Sequence, residues 1–333
     1  MNYTTSTMTQ PPTPTGITGF FKAKWRTSLR ELKPWRPVAN TRDHIECSWV
    51  QHNALQMAFD GEFKAPIKQQ LLSGGCEVLD IGCGAGFWSM DMATKYPLSY
   101  FIGIDVDKNV FPHMTMQKNL MFQRVDIMSL PLPFEDNTFD YIFIRSMLNM
   151  IPEQQWEDIQ KEIIRIMKKG GYVECVEHYA DLFDTGPAMS KITRLINTTS
   201  SSRLNNYYHP DHPYHSSLLA PIYNPWPNRL ALERYLTGIK IHHTHTPIGN
   251  HGGALGALMY QYWERIFNCF KNEWIQSKNI SEKDLEVLLK EVLDEVEKNK
   301  TYMAWYSVVA QKKGYTGPMI LIEDYDDQEP TIP

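Results

Sequence analysis

The stretch that most restricts the fold is Glu77-Val78-Leu79-Asp80-Ile81-Gly82-Cys83-Gly84-Ala85-Gly86-Phe87-Trp88. Val78, Leu79 and Ile81 suit a short buried parallel strand. The glycines suit a tight turn into a helix whose Trp88 and Met92 lie four apart on one face. Glycine at 82, 84 and 86 would let backbone amides approach a ligand, and the helix start behind them adds partial positive charge. The expectation is a nucleotide-binding strand–turn–helix, a weakly specific signal by itself. Two residues narrow it. A dinucleotide fingerprint needs a small residue at its sixth position, where the helix meets the sheet; Phe87 stands there and argues against a nicotinamide dinucleotide. Asp80, at the mouth of the strand, would repel a pyrophosphate and welcome an ammonium.

The same edge recurs downstream. Tyr100 to Asp105 reads as a second strand ending in an acid that can accept hydrogen bonds from both ribose hydroxyls. A third, Leu120 to Val125, delivers Asp126, and a fourth, Phe139 to Ile144, ends at Arg145. Singly, each acid could cap a helix or face water, and Arg145 could make a surface ion pair. Jointly, Asp80, Asp105 and Asp126 at carboxyl ends of strands fit ligand binding at the switch point of a doubly wound sheet. Arg145 is expected to face the cleft. A helix opened by Pro152 carries Trp156, Ile159, Ile163 and Ile166 inward, and Gly170-Gly171 leads into a fifth strand, Tyr172 to Glu177. Further strands are expected over Ile239–Thr246 and Tyr302–Ala310, and helices over Gly253–Ile275 and after a capping box at Ser281. Ahead of the first strand, Arg42 to Lys68 shows a helical pattern in Ile45, Trp49, Leu55 and Phe59, ended by Gly61. The predicted fold class is α/β: a Rossmann-like, doubly wound, seven-stranded and mostly parallel sheet with helices on both faces.

A chain of 333 residues, 42% of them hydrophobic, can bury a large core, and a net charge of −5 gives no field for holding nucleic acid. The five cysteines show neither metal-ligand pairing nor a secreted framework. With no apolar run of membrane-spanning length and no signal-peptide core, the expectation is a soluble, intracellular protein, cytoplasmic or nuclear. Three domain-level divisions follow. Residues 1–40 are expected to form a disordered arm whose segment Phe20–Pro37 is basic and amphipathic, suited to a protein partner, an anionic surface or the protein's own domain. Residues 41–318 are expected to form the main domain, and 319–333 an acidic tail. Inside the domain, regularity fails at about 197–229, where prolines and aromatics crowd together; such a long irregular segment is a functional candidate. Its His209, His212 and His215 sit at three-residue spacing, but Pro210 and Pro213 break the helix that would align them, so no metal site is assigned.

The glycine stretch resembles the first motif of class I S-adenosylmethionine-dependent methyltransferases, whose ligand carries an ammonium and a sulfonium and no phosphate. The resemblance sharpens over Asp43-His44-Ile45-Glu46, Gln51-His52-Asn53, Gly61 to Ile67, Leu130 to Arg145 and Gly170 to Glu174. Together these look like the fungal LaeA-like (UMTA-type) methyltransferases, with cover from about residue 40 to 315. This implies S-adenosylmethionine as cofactor, held by Asp80, Gly82, Cys83, Gly84, Asp105, Val106, Asp126, Ile127 and Arg145, with Asp126 at the adenine amino group. It places the acceptor side at the insertion, so Tyr207, His209 and His215 (with Tyr208 and His212 beside them) become candidates for a catalytic base. The helix before the first strand would cover the cleft. Two functions stay open: methyl transfer, to a small-molecule acceptor before others, and a LaeA-like regulatory subunit of secondary metabolism that binds the cofactor with little transfer activity.

Overall fold

The computed structural model describes residues 41–147, 150–151, 153–199, 234–276 and 280–314. The basic segment 20–37, the acidic tail, and Tyr207, Tyr208, His209, His212 and His215 lie outside the described residues. Among the described residues seven strands form one sheet: β1 (Glu77–Ile81), β2 (Tyr100–Asp105), β3 (Leu120–Arg124), β4 (Phe139–Arg145), β5 (Met167–Phe183), β6 (Leu236–Pro247) and β7 (Tyr302–Lys312). Their order is β3-β2-β1-β4-β5-β7-β6. The first five are parallel, and β7 runs antiparallel between β5 and β6. The chain leaves β1 toward one side and returns on the other with β4, so the switch point lies at the carboxyl ends of β1, β2 and β4.

Alternation along the strands divides the core in two. Val78, Tyr141 and Phe143 point to one face, which is covered by α1 (Thr41–Ala58), α2 (Lys68–Ser73), α3 (Phe87–Lys95), α5 (Pro187–Thr199), α6 (Gly253–Gln276) and α7 (Glu282–Asn299). Leu79, Ile142 and Ile144 point to the other, covered by α4 (Glu153–Ile166) and the turn carrying Leu132 and Phe134. On α4 the stripe of Trp156, Ile159, Ile163 and Ile166 is buried as its spacing predicts. Ser281 caps α7, its hydroxyl accepting the Asp284 amide at 3.1 Å.

Several expectations need correction. Trp49 is 49% exposed and takes no part in the buried stripe of α1, which runs through Val50, Ala54 and Leu55. The irregular stretch does not start at Asn197, because α5 runs to Thr199 from a proline at its first position. Strand β5 is far longer than Tyr172–Glu177, because antiparallel β7 pairs with it out to Phe183. Between β2 and β3 the described chain forms only a 3-10 turn at Lys108–Val110, which Asp107 caps.

Candidate functional site

The glycines of the turn work differently from the sequence expectation. The amides of Gly82 and Cys83 both donate to the Ile104 carbonyl, at 2.9 and 3.0 Å, Gly86 donates to Cys83, and Gly84 donates to the Asp105 carboxylate at 3.0 Å. The N–H groups at 82, 83, 84 and 86 are therefore spent within the protein and form no phosphate cradle. Glycine is needed for backbone shape and for room. Gly82 and Gly86 have φ of 69° and 76°, and a Cβ would collide with Met147 at the first and Phe122 at the second. Phe87, which stands where a dinucleotide fold needs a small residue, opens α3 and stacks on His52 with ring centroids 6.4 Å apart.

Asp80 is buried at 4% exposure and accepts a hydrogen bond from Ser89 Oγ at 2.5 Å. Burial raises its pKa to about 6, against the opposing Ser89 hydrogen bond and the positive charge of Arg145; Asp105 adds to the rise. Asp80 pairs with Phe143 across β1 and β4, and Arg145 lies two residues past Phe143, so both ionic groups belong to the same sheet face. Arg145 is half-buried, lies 5.8 Å over the Phe143 ring, and donates from Nη1 to His52 Nδ1 at 3.3 Å. Among the described residues no carboxylate lies within 4.0 Å of it, so it is not the surface ion pair that its position at a strand end allowed.

One strand over, Asp105 accepts Gly84 N–H on one oxygen and Asp107 N–H on the other, at 3.0 and 2.9 Å. Asp126 accepts from Met128 N–H and Ser129 Oγ, capping its own turn. Val106 is half-buried and its carbonyl accepts from Arg124 Nε. The Ile127 side chain is packed in the second core, which leaves only its main chain to meet a ligand. Cys83 is half-buried by accessibility, and desolvation raises its thiol pKa well above the ordinary range, so it is an inert wall.

Sequence reasoning gave no role to four further residues here. His52 on α1 bridges Arg145 and Asp91. Trp88 donates its indole N–H to the Glu62 carbonyl at 2.8 Å and stacks on Phe143 at 3.9 Å. Met147 overlies Gly82. Ser146 follows Arg145 with φ of 56°, and among the described residues its buried hydroxyl has no partner. A strained residue with an unsatisfied hydroxyl at a strand end is a mark of sites rather than of cores. Of these, His52 had a sequence signal as part of the Gln51-His52-Asn53 block, and Trp88 as half of the helix-face pair with Met92.

Residues 78–171 match the model of a family described as a methyltransferase domain. A demethylmenaquinone methyltransferase of Bacillus licheniformis is 34% identical over 107 residues, 31% of this chain and 45% of the relative. One of Oceanobacillus iheyensis is 29% identical over 119 residues, 34% of this chain and 49% of the relative. The chain thus spans just under half the length of these relatives. Among solved structures, phosphoethanolamine N-methyltransferase 2 of Haemonchus contortus aligns at a TM-score of 0.40 with 16% identity, over 83% of this chain and 60% of that one. The YcgJ protein of Bacillus subtilis aligns at 0.39 with 18% identity, over 75% and 98%. Residues 78–171 are thus similar to a methyltransferase domain, and they sit within the sheet of order β3-β2-β1-β4-β5-β7-β6.

Proposed function

We propose that the protein transfers the methyl group of S-adenosylmethionine to a small-molecule acceptor. The observation that carries this reading is the pair Asp80 and Arg145, a carboxylate and a guanidinium on adjacent parallel strands and one sheet face. Arg145 stands one strand across and two residues along from Asp80, about 8 Å away at the backbone, so the two groups leave room between them for the ammonium and carboxylate of an amino-acid end. Asp105, one strand further, stands where the ribose of the same ligand would lie. The absence of a phosphate cradle at 82–86 agrees with a ligand that has none.

When bound, the cofactor supplies a methyl group already activated by its sulfonium. The chain's own task is to hold that end in place, align an acceptor atom in line with it and exclude water. Trp88, Phe143 and Met147 give apolar cover beside the turn. For a hydroxyl or ammonium acceptor a base is required; we assign this to the segment at 197–229, with Tyr207, His209 and His215 as candidates. The bacterial relatives, named demethylmenaquinone methyltransferases, support a small-molecule acceptor. Within the class, the blocks around His44, His52 and Gly61 favour placement with the LaeA-like group.

Incubating the protein with methyl-labelled S-adenosylmethionine and fractionated metabolites should give a labelled small molecule by mass spectrometry. Replacing residues 200–226 by a short Gly-Ser linker should spare cofactor binding and abolish that product; equal transfer by the linker variant would remove the base from this segment. A protein that binds the cofactor and labels no small-molecule fraction would overturn the proposal. Asp105→Ala should weaken S-adenosylmethionine binding by about 2–4 kcal/mol through loss of two charge-assisted hydrogen bonds. Unchanged affinity by calorimetry would reject Asp105 as the ribose ligand.

A further inference from the structure

His52 is 4% exposed, lies on the helix that covers the cleft, and makes two polar contacts. Its Nε2 is 2.9 Å from Asp91 Oδ2 on α3, and its Nδ1 is 3.3 Å from Arg145 Nη1 on β4. An arginine can only donate, so Nδ1 must present its lone pair and the ring proton must sit on Nε2. That proton then points at a carboxylate, which fixes the tautomer and the ring. The Phe87 ring stacks at 21° to the imidazole and holds its plane. The guanidinium is thereby gripped at one nitrogen, from the side of α1. Among the described residues His52 is its hydrogen-bond partner, and the other N–H groups remain for something in the cleft.

We infer that His52 is a positioning residue, clamped between Asp91 and Arg145, which aims the guanidinium at the carboxylate of the cofactor's amino-acid end. The inference rests on reading Asp80 and Arg145 as the two halves of a zwitterion site. It adds that α1 is more than a cover: it brings the group that orients half of that site. It also makes the contact sensitive to protons. The charged groups facing His52 are Arg145 from β4, Asp91 from α3 and Glu62 from the segment after α1. Burial, then Arg145, lowers the His52 pKa, and Asp91 and Glu62 oppose them. Protonating Nδ1 would turn an N–H toward the guanidinium N–H and set two cations face to face, releasing Arg145.

Two ligands separate this role from a general effect on folding. S-adenosylhomocysteine carries the amino-acid end, and 5′-methylthioadenosine keeps the nucleoside and sulfur without it. Calorimetry on the native protein and on Arg145→Met, His52→Phe and His52→Asn gives the ratio of the two affinities. Arg145→Met should lower this ratio about tenfold and His52→Phe about fivefold, both by weakening S-adenosylhomocysteine alone. His52→Asn, whose amide oxygen can accept near the position of Nδ1, should recover most of the loss. On lowering the pH from about 7.5 through and below the ordinary histidine range, the ratio should fall further in the native protein than in His52→Asn, because Asp80 titrates in both and position 52 in only one. An unchanged ratio in Arg145→Met would overturn the zwitterion reading and this inference with it. A lowered ratio in Arg145→Met with an unchanged one in His52→Phe would overturn the role of His52 alone. Equal weakening of both ligands in His52→Phe would also overturn it, because the residue would then serve packing. Should His52→Phe fail to fold, identical pH responses of the native protein and His52→Asn would overturn it by themselves.

Discussion

Asp80→Asn should make the ligand-free protein more stable and its hold on S-adenosylmethionine at least about a hundredfold weaker. The stability half follows from linkage. The pKa of Asp80 is raised from 3.8 to about 6 in the folded protein, chiefly by burial. The native state therefore binds the proton more tightly than the unfolded chain does. Stability is highest below about pH 4, falls as pH rises toward about 6, and the full deficit is present above that. A shift of this size corresponds to about 3 kcal/mol at neutral pH. An asparagine of the same shape carries no charge to desolvate, and its amide oxygen can still accept the Ser89 hydroxyl. The binding half follows from the same burial: the carboxylate is held in a costly ionised state that a ligand ammonium relieves, and the amide offers no such relief. Native affinity should fall as pH drops below about 6, where a proton competes for Asp80, and affinity of the variant should fall less, keeping only the share that passes through His52. Thermal melts and calorimetry check both halves. A variant that melts below the native protein, or binds as tightly, would show that Asp80 is structural.

The sequence carried the parts of this site that depend on neighbours along the chain. Strand periodicity set which residues share a face, so Asp80 and Arg145 could be placed on one edge, and glycine spacing marked the turn between β1 and α3. Contacts that join distant segments left no such trace. His52 meets Asp91 across 39 residues and Arg145 across 93, and neither separation has a period to read. The glycines show the same division. Their number announced a tight turn, but the reason a side chain is barred at 82 and 86 lies in Met147, just past the end of β4, and Phe122 on β3. Nor does spacing along the chain show that β2 runs close enough for Ile104 and Asp105 to take the amides of residues 82, 83 and 84. Asp126 and Ile127 were placed at the right edge by strand length, but the side chain of one caps its own turn and that of the other fills the core.

Glu174→Gln should cost about 3 kcal/mol of stability and leave cofactor affinity near native, although Glu174 borders the pocket beneath α1. Its carboxylate is 1% exposed and accepts from four donors on three parts of the chain. The amides of Lys64 and Ala65 reach it at 2.8 Å, the Tyr141 hydroxyl on β4 at 2.9 Å and the Ser307 hydroxyl on β7 at 2.7 Å. Burial raises its pKa, and these four hydrogen bonds work against the rise. Each donor satisfies a lone pair of the anion, so the group ties the segment after α1 to the middle of the sheet. A glutamine has one acceptor oxygen, and its NH2 would face an N–H or O–H that also needs to donate. At least one buried donor is then orphaned, and Glu174→Ala, which orphans all four and opens a cavity, should cost more, about 4–5 kcal/mol. Chemical denaturation measures the loss, and calorimetry below the transition measures binding. Asp80 and Asp105, which would meet the ligand, are on β1 and β2 and share no hydrogen bond with Glu174 among the described residues. Native stability in Glu174→Gln would deny it the anchoring role, and lost methyl transfer at native stability would move it from the frame of the site into the site itself.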